Sequence, residues 1–443
     1  MDVTNLVSVF QHMLHELSIA FTQPTGETFR QLATGWVLTP GVGTVTGMIR
    51  TLGRLATKHW TVYQKFFYRA AWSLDMLSDL LLRRLVGPLL GQDICLAIDD
   101  TTCGPRGKHV ALAGWFKDAS SHAQGPVIHW AHNWVIGAII VRVPKFPLLR
   151  LALPVLFALH RKRPDCDTKH PYATLPQQAR QLVCRLAQTF PQRRIFTAMD
   201  GLYATRHFFG NLPENVVGIS RLRKNASLRQ WPVPPTKAAG GPKRQRGDRL
   251  PGLAELTRQV KDWKTVRLNK QGRKVRRRIH GFTCQWYHVC RSKPVRVVIV
   301  QDPSGKEDDL HVVCTDVSIP DKIIVQQFYD RWGVEECIQE GKQQMGMERT
   351  RGWCVKTVSR QAPLAMLLAS LVKLWYVQHA AGHPLAQPRP LPWYPQKTAV
   401  SFRDMLAALR KVLWQDCALF NSHKRWKLNQ LPDALTYALC EAA

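Results

Sequence analysis

Acidic residues are scarce in this chain. Only 31 Asp and Glu stand against 62 Lys and Arg, which leaves a formal net charge of +31. A charge of that size repels itself unless a polyanion neutralises it. Nucleic acid is therefore the first candidate partner and an anionic membrane surface the second. Long apolar runs are missing too. The best of them, PLAMLLASLV (363–372), is too short for a membrane-spanning helix. The eleven cysteines never form a Cys-x-x-Cys pair, and the pairs Cys95/Cys103 and Cys284/Cys290 lack zinc-ligand spacing. They read as reduced thiols of a cytosolic protein. The opening MDVTNLVSVFQHMLHELS begins with an acid and is amphipathic, unlike a signal peptide.

What is present is a chain of 443 residues, 45% hydrophobic, long enough for two or three domains. Residues 1–90 have apolar residues at helical spacing and many aromatics, densest at KHWTVYQKFFYRAAWS (58–73). The segment TPGVGTVTGMIRTLG (39–53) followed by a basic helix fits a helix-turn-helix or a plain helical bundle equally well. From DICLAIDDTT (93–102) the pattern changes to short apolar strands: NWVIGAIIVRV (133–143), RIFTAMDGLYA (194–204), NVVGISRLR (215–223), VRVVIVQD (295–302) and HVVCTDV (311–317). TLPQQARQLVCRLAQTF (174–190) has a Thr cap and helical periodicity. A strand-rich stretch followed by strand–helix alternation implies an α/β or α+β core. It is interrupted by PVPPTKAAGGPKRQRGDRLPG (232–252) and by KTVRLNKQGRKVRRRIH (264–280), which has eight Lys/Arg in seventeen residues and no acid. That run is either a solvated loop or a DNA contact, with Arg273, Lys274, Arg276, Arg277 and Arg278 as the candidate ligands. Residues 321–346 read as one long helix and 359–380 as a second, largely buried one.

Three places bring acids to the ends of core elements: Asp99/Asp100, Asp200 and Glu335. Projected at about 100° per residue, Val334, Cys337, Ile338, Gly341 and Met345 form an apolar stripe. Phe328, Arg331, Glu335, Gln339 and Lys342 form a second stripe roughly a quarter-turn away, so Glu335 sits beside the buried face. Carboxylates that meet repel unless a hard divalent cation lies between them. Two such ions suit phosphodiester chemistry. Arg331 and Lys342 then flank Glu335 as phosphate contacts. Taken singly, each feature has a plainer reading: helix caps for the aspartates, and a surface ion pair for Arg331–Glu335. His129 and His132 read as packing residues.

The spacing Phe328-x2-Arg331-x3-Glu335-x6-Lys342 resembles the Tyr-x2-Arg-x3-Glu-x6-Lys signature of DDE transposases of the insertion-sequence-four type. AIDDTT resembles that family's first-aspartate strand and AMDGLYA its second, and HWAHNWVIGAIIV and GISRLRKNASL are similar to further family segments. The resemblance covers about 93–346. Phe328 stands where the family has Tyr, with Tyr329 next to it. The resemblance implies an RNase H-like mixed sheet with flanking helices, a helical N-terminal DNA-binding domain (1–90), core segments 91–223 and 311–382, a basic β-rich insertion (224–310) before the catalytic Glu helix, and a C-terminal helical region (383–443). It implies a cut-and-paste transposase, located in the bacterial cytoplasm with the nucleoid. Its acids hold two Mg²⁺, with Mn²⁺ able to substitute, and it works as a homodimer on double-stranded DNA at inverted-repeat ends and target. Trp263 and Trp286 become candidates for stacking on a flipped base, and Phe328 and Tyr329 for DNA contact. Asp99 and Asp100 both satisfy Asp-x-Thr. Neighbouring strand residues face opposite ways, so one of them aims at the metals. Asp99 directly follows the apolar run and is preferred, with Asp100 still open. The competing functions are a structure-directed nuclease, which cuts without joining, and a domesticated DNA-binding protein, for which three intact acids have no use.

Overall fold

The computed structural model describes residues 3–39, 43–104, 107–117, 127–143, 149–232, 245–388, 392–397 and 399–420. Most of the Pro/Gly-rich stretch 232–252, part of 39–53 and the chain beyond 420 lie outside these residues. The chain opens with five helices: α1 (Val3–Ser18), α2 (Gln23–Leu38), α3 (Val45–Leu52), α4 (Trp60–Tyr68) and α5 (Leu74–Leu80). Their starts are chemically marked. Thr44 caps α3 by accepting from Gly47 N at 3.0 Å, and Ser73 accepts from Met76 N at the start of α5. Leu6, Phe10, Met13, Leu14 and Leu17 line the buried side of α1.

Among the described residues ten strands form one sheet: β1 (Asp93–Cys103), β2 (Gly114–Lys117), β3 (Ile128–Arg142), β4 (Arg150–His160), β5 (Arg194–Met199), β6 (Val216–Arg221), β7 (Lys264–Lys270), β8 (Arg273–Gln285), β9 (Pro294–Gln301) and β10 (Leu310–Cys314). The order is β2-β3-β1-β5-β6-β10-β9-β8-β7, with β4 also paired to β3. β1 runs antiparallel to β3 and parallel to β5, which is parallel to β6. The run β4-β3-β1-β5-β6 is the RNase H-like core anticipated from the sequence. The basic run 264–280 is not a loop. It is the β7–β8 hairpin, closed at Gln271 (φ 51) and Gly272 (φ 75), two left-handed residues that suit the twist of a tight hairpin. With β9 it extends the core sheet from β10. Strand β4 has no sequence counterpart in the reading above. Pro154 lies within it, and the β3–β4 register shifts there, between Gly137 and Ala138.

Helix α6 (Leu175–Thr189) has the capping box of Thr174 and Gln177. Short helices α7 (Arg206–Phe209), α8 (Leu253–Gln259) and α9 (Tyr287–Cys290) fill connections. The expected long helix 321–346 is two: α10 (Asp321–Asp330) and α11 (Trp332–Gln344), parted at Arg331, where Val334 N turns back to Arg331 O. The break lets α10 lie on β5–β10 and β7 while α11 lies on β1, β3 and β4. The apolar stripe of α11 is buried as projected. A side chain at Gly341 would place Cβ 2.1 Å from Met366 Sδ, so glycine permits the close approach to α12 (Val355–Trp375). A final helix, α13 (Phe402–Phe420), packs on α1, α2 and α12.

The N-terminal helices share one hydrophobic cluster with the sheet, α11, α12 and α13. A second cluster lies under α10. Buried hydrogen bonds lock the helices to the core. Trp36 Nε1 donates to Met345 O at 3.0 Å, and Trp375 Nε1 to Leu6 O at 3.0 Å. Buried Arg360 of α12 donates to the carbonyls of Phe66, Phe67 and Trp72 at 3.4, 2.9 and 2.7 Å, with its guanidinium 4.3 Å from the Trp72 ring. No helix among the described residues is long and apolar enough to cross a membrane. Replacing Arg360 with Met keeps the volume but leaves these carbonyls without their donor. We expect a loss of about 2–4 kcal/mol. It should appear as a clearly lowered thermal midpoint, and an unchanged midpoint would contradict this role.

Candidate active site

Asp99 and Asp100 lie inside β1, which continues to Cys103, and not at the strand's end as the apolar run suggests. On one edge β3 pairs the whole stretch, with Asp99 opposite Ile136 and Asp100 opposite Val135. On the other edge, pairing with β5 stops at Ile98–Met199. The strand thus carries both acids past the end of β5, where Asp200 follows at the start of a short turn. Alternation sends the two side chains to opposite faces of the sheet.

Asp99 faces α11. Arg331 Nη1 donates to Asp99 Oδ2 at 3.2 Å, and Arg331 Nη2 lies 2.7 Å from Glu335 Oε1. One guanidinium therefore joins strand to helix, held by the break before α11. Two turns beyond Glu335, Lys342 Nζ donates to the Thr102 carbonyl at 2.7 Å and pairs with Glu348 at 3.2 Å. The stripe Arg331–Glu335–Lys342 faces the end of β1 as its spacing implies. Burial pushes the Asp99 carboxyl up to about 7. Arg331 works against that rise, while repulsion from Asp100 and Glu335 adds to it.

Asp100 faces the other side, where Tyr203 Oη donates to its Oδ1 at 2.9 Å. Burial raises this carboxyl as well. Hydrogen bonds from Tyr203 and Asn133 oppose the rise, the Asp200 charge reinforces it, and His160 offsets part of it. Tyr203 is fully buried, and its hydroxyl is pushed well above its usual value by desolvation and by the charges of Asp100, Asp99 and Asp200. Ser220 Oγ donates to the Asp200 main-chain carbonyl at 3.0 Å. Among the described residues the Asp200 carboxylate itself has neither hydrogen bond nor ion pair. The four acids therefore form two halves, Asp99–Arg331–Glu335 and Tyr203–Asp100–Asp200. Tyr203, Asn133 and His160 had no role in the sequence reading. Tyr203 and Asn133 lie within motifs singled out there, but only the strand register puts them beside Asp100.

An oxygen-only set with an uncompensated Asp200 has the donor chemistry of a hard divalent cation. Among the described residues, no three acid, His or Cys side chains gather closely enough to hold an ion. A guanidinium lies between Asp99 and Glu335 instead.

The other anticipated contacts divide. Arg273, Lys274, Arg276 and Arg278 are exposed on the hairpin. Arg277 is not a DNA contact. It occupies the inward position between Val275 and Ile279, is buried, and pairs with Asp302 at 3.1 Å and Glu307 at 2.8 Å. The period-2 alternation Val275-x-Arg277-x-Ile279 already carries that signal. Its Nε also donates to Tyr329 Oη at 3.3 Å, so the hydroxyl next to the signature position is engaged away from the acids. Phe328 and Tyr329, expected as DNA contacts, lie on the face of α10 that packs on the sheet and are buried, which leaves little of either ring for DNA. Their edges, with Arg221, Lys270 and Trp332, border a cavity of about 570 Å³. Trp286 is core, edge-to-face with Phe209 at 5.9 Å, and is not available to stack on a base. Trp263, just before β7, is half-buried.

A family model described as DDE superfamily endonuclease matches residues 16–293, well over half of the chain. The match contains Asp99, Asp100 and Asp200 and ends before Glu335. No curated protein matches the chain.

The raised Asp99 carboxyl has a stability consequence. Its folded value, about 7, lies above the unfolded value of about 4, so the native state holds the extra proton between those pH values. Stability contributed by this group is present below about pH 4 and lost as pH rises to about 7, by up to about 1.4 kcal/mol per unit. In EDTA, the stability of wild type minus that of Asp99→Asn should fall across that window and flatten above it. A difference that rises with pH would contradict the burial of this group.

Proposed function

The chain belongs to the DDE superfamily endonucleases, and we propose that it is a cut-and-paste DNA transposase of the insertion-sequence-four type. The observation that supports this most is the convergence of acids from three separate segments, β1, the turn after β5, and α11, at one end of the sheet. The spacing of Arg331, Glu335 and Lys342 on α11 and the net charge of +31 point the same way.

In this reading Asp100 and Asp200 hold a divalent cation, while Glu335 stays with Asp99 and Arg331 on the other side of β1 and acts on the substrate from there. Asp200 couples to Asp100, which reverses the preference for Asp99 drawn from the apolar run. Mg²⁺ or Mn²⁺ there supplies stabilisation of the charge that develops on a phosphodiester under attack. Tyr203 fixes the orientation of Asp100 through its hydroxyl. Arg331 bridges Asp99 and Glu335 while DNA is absent, and a phosphate offers its guanidinium a further partner. Lys342 keeps the end of β1 and α11 together beside the same phosphate.

The DNA backbone lies along the β7–β8 hairpin. There Arg267 is directly opposite Arg276, a like-charge pair that costs stability until a polyanion covers it. Arg273, Lys274, Arg276 and Arg278 project from the same hairpin into solvent. The substrate is the pair of inverted-repeat ends, brought together by a dimer, and the product is joined to target DNA.

Two tests follow. With DNA that carries the element's ends and Mg²⁺, Glu335→Gln should lower cleavage at least about a hundredfold, the scale of one lost charge-stabilising group. End binding should stay intact, and normal cutting by this variant would remove Glu335 from the site. A strand-transfer assay on the same DNA should yield joined product; cutting without joining would make the chain a nuclease only. Arg276→Gln with Arg278→Gln should weaken binding to all sequences alike and reduce the salt slope by about 2, near one per lost phosphate contact. An unchanged slope would place the DNA elsewhere.

A further inference from the structure

Large aromatic side chains left in water need a reason, and two pairs of them lie beside the acid-bearing elements. Trp353 is 76% exposed and sits just after the turn that ends α11. Its ring is 5.5 Å from that of His109, which lies in the loop leaving β1. Trp115 of β2 is 60% exposed and edge-to-face with Trp130 of β3 at 5.7 Å. In the β2–β3 register these two tryptophans are direct partners.

The pairs share one side of the sheet. Trp130, His132 and Trp134 alternate onto the same face, and Trp134 is paired with Thr101, two positions from Asp99. His132 Nε2 lies 2.9 Å from Ala111 O, and Ala111 N donates to Gly352 O at 3.2 Å. These two bonds pin the loop of His109 between the Trp115–Trp130 pair and Trp353. The aromatic rings therefore lie on the face of Asp99, Arg331 and Glu335. The hairpin β7–β8 is at the opposite edge of the sheet.

The charge around them is positive. Lys108, Lys117, Arg351 and Lys356 are exposed and make no ion pair among the described residues. The nearby acid Glu348 is held by Lys342. Indole Nε1 of Trp130 is buried without a partner among the described residues. Open aromatic faces interleaved with unpaired cations suit a strand whose bases are free to stack, since a duplex offers its phosphates but not its base faces.

We infer that Trp353 with His109, and Trp115 with Trp130, form a platform for unpaired DNA bases beside the acid site. Its occupant is the single-stranded segment of an opened DNA end. The inference rests on the DNA-acting reading above, but it is tested without cleavage.

Fluorescence anisotropy in EDTA compares a blunt duplex, the same duplex with a single-stranded thymidine tail, and heparin as a plain polyanion. Wild type should bind the tailed duplex more tightly than the blunt one. Trp353→Ala should lose about five- to tenfold on the tailed duplex, the effect of one lost stacked base, with the blunt duplex and heparin unchanged. Trp353→Phe, which keeps a ring, should recover most of the loss, and Trp115→Ala should repeat it. Equal loss on tailed and blunt DNA, or no tail preference in wild type, would overturn the platform. Trp353 is mostly in water, so unaltered far-ultraviolet circular dichroism is expected for its variants. A tail preference that survives while Glu335→Gln cuts normally would sink the assignment of the acids and leave the platform standing. Failure of wild type to bind any DNA above heparin would sink both.

Discussion

A single guanidinium ties the acid of the central strand to the acid of the helix. Arg331 lies at the break between α10 and α11 and reaches both Asp99 on the central strand and Glu335 on the helix. Without a cation at that point, two carboxylates would face each other and repel. With it, α11 can be buried against β1, β3 and β4 while its acid stays beside the strand end. The rest follows from that placement. Gly341 lets α11 seat on α12, Lys342 ties the last turn of α11 to Thr102, and α10 is free to cover the strands that carry the basic hairpin.

The chain's positive charge is not spread evenly in its consequences. Where a carboxylate is available, a basic residue is absorbed into the fold: Arg277 by Asp302 and Glu307, Arg296 by Asp321, Lys373 by Glu340. With half as many acids as bases, many cations among the described residues make no ion pair. Arg276 and Arg278 on the outer edge of the sheet, and Lys108 and Arg351 in loops near the acids, are exposed examples. A fold of this kind separates structural cations, which are buried and paired, from those left for a polyanion.

Much of this was legible in the residues. The α6 capping box, the buried stripe of α11 and the strands β1, β3, β5, β6, β9 and β10 are all written in local pattern, because each has one face against the core. The acids were legible too, since Asp200 terminates an apolar strand and Glu335 has its spacing to Arg331 and Lys342. Three things were not. Strand β4 was hidden by Pro154, which a bulge accommodates. The hairpin β7–β8 reads as either a solvated loop or a DNA contact because its outer face and turn are basic, although Val266, Leu268, Val275 and Ile279 mark an inner face. The split between Asp99 and Asp100 depends on which helix covers which side of the sheet, and that is a property of the assembled fold. The partnership of Asp100 with Tyr203 follows from the same cause.

The central claim is that Asp100 and Asp200 form an uncompensated anionic site that takes a divalent cation. Titration of the purified chain with Mn²⁺, followed by electron paramagnetic resonance, tests it most directly. The account predicts saturable binding in wild type that is lost in Asp200→Asn and in Asp100→Asn, with folding retained. Binding that persists undiminished in both variants would contradict it.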